Sequence, residues 1–365
     1  MSDLTATDGA PDAISAARAR FPVLDRLAYL NAGTFGPLAR ATLEVMQEEQ
    51  DRDLVNGRSG ASYFVGTLDL RAEVRASLAR LVGVEPETVA LTTSTTEACS
   101  IVTAGLDLGD EHEVVTTTDE HFGLLGALGA TKAHVVVVPP DPDRILAAVN
   151  RHTRLIAISH VLWTTGAVLP VQELRAAAGI PVLVDGAQSV GALDVAARGV
   201  DFTTISGQKW LCGPDTTGAL IVSDPERLRV AAPSHFSQIS YEADGTFVPR
   251  EGAPRFERSW WSRARLRGLL AALADRPAWG WERSREMTRR CREVLDAHVE
   301  LVDGGPSTLV SFRPPGGDAA ELTSRLHDVG VRVREIPGRG LVRASVGWWT
   351  SDDDLSRLVD GIAAS

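Results

Sequence analysis

Lysine is almost missing from this chain of 365 residues: among 37 basic side chains, only Lys132 and Lys209 are lysine. Arginine stays protonated in proteins, so it cannot act as an amine nucleophile or form a Schiff base. Amine chemistry is therefore confined to two positions. Lys132 lies in an Ala-Thr-Lys-Ala stretch before an expected strand, which suits an ordinary solvated side chain. Cysteine is also scarce, and Cys99, Cys212 and Cys291 share no CxxC or clustered spacing. That excludes a disulfide framework, suits reduced thiols in the cytoplasm, and gives no reason to expect a metal. A net charge of −11 leaves no general basic face for nucleic acid or an anionic membrane. No apolar run reaches membrane-spanning length, the longest, such as residues 133–140, suiting buried strands. Residues 1–19 lack the charged-then-apolar pattern of a secretory signal and read as a frayed polar arm.

A content of 44% hydrophobic and 23% charged residues is that of a globular protein, long enough for two domains or one elaborated one. A glycine-rich turn, Tyr29-Leu-Asn-Ala-Gly-Thr-Phe-Gly-Pro37, leads into helices expected over 39–56 and 68–82. Short Val/Ile/Leu/Thr runs then alternate with helical stretches, the pattern of a mostly parallel sheet covered on both faces. Strands are expected over 88–92, 113–117, 133–138, 155–160, 181–185, 202–206 and 219–223, with helices over 96–105 and 171–178. The last two strands lack an intervening helix, so one should be antiparallel. Residues 234–252 read as loop. The last third reads as a small α+β unit: helix 278–298, strands 299–302 and 308–312, helix 319–329, strands 331–335 and 341–346, helix 351–363.

Open α/β sheets bind ligands beyond the carboxyl ends of their strands. After the first strand, Thr93-Ser-Thr-Thr-Glu97 opens a helix whose N-terminus favours a phosphate, with Thr95 and Thr96 as donors; alone it would be a plain N-cap. His121 follows the second strand, where an imidazole can stack on an aromatic ring. Asp185 ends an apolar strand and needs a partner, for which a pyridinium nitrogen is suited. Lys209 follows the sixth strand. Together these supply phosphate cradle, stacking ring, pyridinium partner and Schiff-base lysine, the parts of a pyridoxal 5′-phosphate (PLP) site.

The stretches Leu183-Val-Asp-Gly-Ala-Gln-Ser189, Val200-Asp-Phe and Ser206-Gly-Gln-Lys-Trp-Leu-Cys-Gly-Pro214 resemble the fold type I, class V aminotransferase or cysteine-desulfurase-like superfamily. The resemblance runs from about residue 21 to the C-terminus. It implies a PLP-dependent transferase-like fold: an N-terminal arm (1–23) packing with the small domain, a seven-stranded large domain (24–265) and a small α+β domain (266–365). It also implies a homodimer with shared active sites and a small amino-acid substrate. By position, Lys209 carries the cofactor, Asp185 holds the pyridine nitrogen, Gln188 meets the ring hydroxyl and His121 stacks on the ring. Thr95, Thr96, Ser206 and Gln208 hold the phosphate, Arg343 matches the arginine for the substrate α-carboxylate, and Asn31 and Trp163 are further substrate contacts. Gln208 stands where the family usually has His, and Trp163 where desulfurases carry Asn. Residues 255–263 replace a Gly-Thr-Pro type segment, leaving Ser262 or Arg263 to reach a partner's phosphate.

A desulfurase needs a thiolate on a mobile loop of the small domain, and the corresponding Ile336-Pro-Gly-Arg-Gly340 has no cysteine. The closest resemblance, through Ser159-His-Val-Leu-Trp and Lys209-Trp-Leu-Cys-Gly-Pro, is to the cysteine/cystine C–S lyases. The expected reaction is therefore β-elimination from cysteine, cystine or a cysteine S-conjugate. The turn Leu30-Asn-Ala-Gly-Thr-Phe-Gly also resembles isopenicillin-N-epimerase-like proteins, so epimerisation or transamination is the alternative. Desulfurase chemistry and a non-catalytic PLP-binding module rank below both.

Overall fold

The computed structural model describes residues 11–364. Helix α1 (Pro11–Arg18) opens with proline at its first turn, where a missing N–H costs nothing. Arg18 donates to Asp354 at 2.7 Å, and Ala17 and Phe21 pack beside Trp348 and Trp349. The frayed arm expected over 1–19 is thus corrected from Pro11 onward, because a buried carboxylate and an aromatic cluster hold it; residues 1–10 lie outside the described residues. Strand β1 (Ala28–Tyr29) and helices α2 (Arg40–Asn56) and α3 (Gly60–Val82) follow. Helix α3 begins eight residues before the expected start and stops at left-handed Gly83.

The large sheet contains β2 (Val89–Thr92), β3 (Glu113–Thr117), β4 (His134–Val138), β5 (Thr153–Ser159), β6 (Val182–Asp185), β7 (Phe202–Ser206) and β8 (Gly218–Val222). Their order is β2-β8-β7-β6-β5-β3-β4, parallel except for β8, which lies antiparallel between β2 and β7. The expected antiparallel member is therefore β8. Helices α4 (Thr95–Gly105), α5 (Phe122–Gly129), α6 (Pro142–Ala147) and α7 (Val171–Ala178) connect the parallel strands. Val182 to Asp185 and Phe202 to Ser206 are buried throughout, as both-sided cover requires.

Beyond the sheet, residues 234–252 are not all loop: β9 (Gln238–Tyr241) and β10 (Phe247–Pro249) form an antiparallel hairpin with exposed faces, which carries no amphipathic signature. Helix α8 (Arg263–Ala274) packs on α2 and α3, and α9 (Gly280–Leu295) enters the small unit. There β11 (Glu300–Leu301), β12 (Leu309–Arg313), α10 (Ala319–Asp328), β13 (Val331–Arg332), β14 (Arg334–Ile336), β15 (Leu341–Ser345) and α11 (Asp352–Ala363) complete the chain. The sheet order is β11-β12-β15-β14, while β13 pairs in parallel with β1. The expected strand over 331–335 is split because its two halves serve different partners. Ser345 N donates to Leu30 O at 2.8 Å, so the glycine-rich turn after β1 is bound to the small unit as well as the large sheet. No helix among the described residues is long and apolar enough to cross a membrane.

A buried ion cluster anchors the start of the sheet. Glu257 accepts from Arg71 and Arg75 and from Leu91 N of β2 at 3.1 Å, while the Arg71 guanidinium lies 4.4 Å from the Phe236 ring centre. Removing one partner leaves buried charge uncompensated. Glu257→Ala should cost about 3–5 kcal/mol in urea unfolding; a loss below about 1 kcal/mol would show that the cluster does not hold β2 in place.

Candidate active site

The ends of five parallel strands open onto one cavity. From β2 come Ser94, Thr95 and Thr96: Ser94 caps α4, its Oγ accepting from Glu97 N at 3.1 Å, and neither threonine hydroxyl bonds to another described residue. Unengaged hydroxyls at the positive end of a helix make an anion site. Ser206 and Gln208, at the end of β7, lie on the same wall, with Ser206 Oγ donating to Gln208 Oε1 at 3.0 Å.

At the end of β6, Asp185 is buried. Its Oδ1 accepts from Ala187 N at 2.9 Å and Thr204 Oγ1 at 3.2 Å, which leaves Oδ2 for a cation. Gln188 donates to Gly33 O at 2.8 Å and accepts from Trp210 Nε1 at 3.1 Å. Lys209 is half-buried and has no ion pair among the described residues. Burial pushes its pKa down to about 8; Asp185 opposes that shift, while Arg343 and Arg334 add to it. The amine is thus available in neutral form near physiological pH.

His121 caps α5, its Nδ1 accepting from Gly123 N at 3.0 Å, so the neutral ring carries its proton on Nε2. Desolvation, with Lys209 nearby, pushes its pKa below the ordinary value. Trp163, from the segment after β5, meets the imidazole edge-on at 5.3 Å between ring centres.

The structure brings nine of the expected residues into the cavity wall and leaves Asn31 and Arg343 outside it. Arg343 is fully buried beside Gly33 and donates to Trp163 O at 2.6 Å; its Nε and the Trp163 Nε1 are buried without partners. A side chain at Gly33 would meet Arg343 Nη2, Ser345 Oγ and Gln188 Oε1 at 2.7–3.0 Å, so glycine is what lets the turn pass there. Burial, and then Arg334, lower the Arg343 pKa to about 9. Asn31 accepts from Thr34 Oγ1 at 2.8 Å, so its side chain braces the turn. Ser262 caps α8, and Arg263 pairs with Glu49 at 2.5 Å; both are engaged within this chain.

Sequence reasoning missed Ser94, Ser159, Glu120 and Arg334. Ser159 ends β5 as Asp185 ends β6, so the strand-end rule applied there would have found it. Arg334 had no distinguishing signal among so many arginines.

The unengaged Asp185 oxygen, the threonine hydroxyls at the α4 terminus and the unpaired amine lining the same cavity fit the ring nitrogen, phosphate and aldehyde of PLP. Competitive amine labelling of the cofactor-free protein should place the Lys209 midpoint near pH 8, and Asp185→Asn should lower it further. A midpoint that Asp185→Asn leaves unchanged contradicts the assigned electrostatics.

Comparison with known proteins agrees with this geometry. The family model Aminotransferase class-V matches residues 28–241. The chain is 30% identical over 391 residues to isopenicillin N epimerase of Streptomyces clavuligerus, covering 95% of this chain and 97% of that protein. A probable cysteine desulfurase of Methanothermobacter thermautotrophicus is 27% identical, with coverage of 93% and 95%. Among solved structures, the cystine C–S lyase C-DES in complex with its reaction product cysteine persulfide superposes with a TM-score of 0.87 at 26% identity, covering 94% and 99%. A C-DES mutant with glycine covalently linked to the PLP cofactor gives a TM-score of 0.88 at 26% identity, covering 95% and 98%. The resemblance read from the sequence, with its fold and cofactor, therefore holds: this chain is a PLP-dependent member of the class-V aminotransferase family.

Proposed function

We propose that this protein is a cytoplasmic C–S β-lyase acting on cysteine, cystine or a cysteine S-conjugate, yielding pyruvate, ammonia and a thiol or persulfide. The state of its thiols carries this reading against sulfur transfer. Cys99, Cys212 and Cys291 are all buried, and burial pushes the pKa of Cys212 and Cys291 to about 12 and that of Cys99 well above the ordinary value. None is poised as a thiolate. The turn Ile336–Gly340 that faces the His121 loop presents Arg339 instead, bonded to Thr118 O at 3.0 Å. Likeness to the cystine C–S lyase supports the same reading.

Bound PLP supplies an electron sink for bonds broken at the substrate Cα. The protein does the rest. With PLP bound, Asp185 Oδ2 would hold the proton on the ring nitrogen, and Lys209 Nζ, released as a free amine, would take the proton from Cα. Arg343, buried behind the cavity wall and bonded to Trp163 O, would have to turn into the cavity for its fork to receive the α-carboxylate. Arg334 pairs in register with Arg343 and has no carboxylate partner among the described residues, its one bond being to Thr34 Oγ1 at 3.5 Å. A guanidinium without a carboxylate partner, next to Arg343 in the sheet, suits a substrate with a second acid group, as cystine has. Exposed apolar side chains at Phe35, Leu38, Leu43, Leu54 and Phe64 support a homodimer, to be checked as twice the chain mass in sedimentation; a monomer at micromolar concentration contradicts it.

The second reading, amino-acid epimerisation, is favoured by the identity to isopenicillin N epimerase; transamination is the third. Incubation with cystine and S-substituted cysteines separates them. The lyase reading expects pyruvate and a sulfur product, whereas inversion or amino-group transfer without pyruvate contradicts it. Arg343→Ala should raise KM about 10–100-fold for every substrate. Arg334→Ala should raise it about tenfold for cystine and little for cysteine; an equal effect on both removes the second-acid assignment.

A further inference from the structure

Behind the cavity wall lies a carboxyl group that substrate binding and proton transfer at Lys209 leave unused. Glu120, on the β3–α5 connection, is 5% exposed. Its Oε1 accepts from Thr117 Oγ1 at 2.7 Å, and its Oε2 from Ser159 N at 2.9 Å and Ser159 Oγ at 2.5 Å. Ser159 ends β5 in register with Asp185 of β6 and lines the cavity. Three donors converging on two oxygens suit a carboxylate. With its hydrogen directed at Glu120, the Ser159 hydroxyl offers the cavity only lone pairs. A protonated Glu120 must instead donate, and when it donates to Ser159 Oγ the serine hydrogen turns toward the cavity.

We propose that Glu120 is a positioning residue for the cofactor ring: as a carboxylate it fixes Ser159 as an acceptor beside Asp185, and it gives up a proton when a pyridinium ring settles against Asp185. The proposal rests on the cofactor assignment and not on which bond the enzyme breaks.

Electrostatics agree with the geometry. Burial raises the Glu120 pKa to about 7, the three hydrogen bonds oppose that rise, and the like charge of Asp185 adds to it. The titratable neighbours are Cys99 of α4, a thiol held neutral, and, in the chain on either side, His121 and Asp119, the latter paired with Arg339 at 2.8 Å; Lys209 acts on Asp185 across the cavity. A ring cation beside Asp185 offsets that like charge, so the Glu120 pKa falls and protons leave at neutral pH. One O–H bond breaks on Glu120, the proton passes through the Ser159 hydroxyl to the cavity, and one bond forms on a buffer base.

The probe is 4′-deoxypyridoxine 5′-phosphate, which keeps ring and phosphate but has no aldehyde to react with Lys209. Calorimetric titration of the cofactor-free full-length protein at neutral pH, in two buffers of different ionisation enthalpy, counts the protons released. Wild type should release roughly a quarter to half a proton more than Glu120→Gln, the difference fading by about pH 9, where Glu120 is already ionised. Equal counts in the two proteins overturn the proposal. Glutamine cannot accept from the Ser159 amide if its NH2 faces that way, so the variant can fail to fold. Wild type alone is therefore also followed by infrared difference spectroscopy. Loss of a protonated-carboxyl band on adding the probe supports the proposal, and an unchanged band overturns it.

Discussion

The buried Asp185 carboxylate sets the electrostatics of the cavity. Burial would strip the charge from any amine or ring nitrogen placed in this cavity, and Asp185 is the buried anion that opposes it. The balance leaves Lys209 near pH 8, low enough to yield a neutral amine and high enough to take a proton back. Asp185 can do this because Ala187 N and Thr204 Oγ1 fix one oxygen and thereby aim the other. The parallel sheet makes the arrangement possible. Strands running in one direction deliver Asp185, Lys209, the α4 terminus and His121 to a single edge, although they are far apart in the chain.

The small unit is coupled to the sheet at close quarters behind the cavity wall. Arg343 reaches across to Trp163 O, Arg339 to the Thr118 carbonyl, and the turn after β1 is bonded to both units through Ser345 N and Gln188. Trp163, whose carbonyl Arg343 holds, in turn meets His121. One residue, Trp163, thus links Arg343 to the ring edge of His121. Glycine at position 33 permits the close approach of the two units.

Much of this was legible in the residues. The seven sheet strands are found within about two residues of their expected ends, because β-branched runs bounded by turn residues leave little choice. Asp185 and Lys209 stood out because each is chemically unusual for its place: an acid after an apolar strand, an amine in a chain of arginines. The exposed hairpin of β9 and β10, the short helices α5 and α6, and helix α8 were not legible. Helix α5 is nearly all apolar and glycine, without a polar face to mark its period, and α8 mixes arginine and leucine like its surroundings. Glu120 lay next to a more conspicuous histidine; only the folded pairing of β3 with β5 brings it to Ser159, and that of β5 with β6 sets Ser159 beside Asp185.

The most direct test of the account is where the cofactor becomes attached. The purified protein, supplied with PLP, is reduced with borohydride and its peptides are mapped by mass spectrometry. A single reduced pyridoxyl phosphate adduct is expected on the peptide containing Lys209, and none on Lys132, which is exposed beyond the end of α5. An adduct on Lys132, or no adduct at all, would contradict the account.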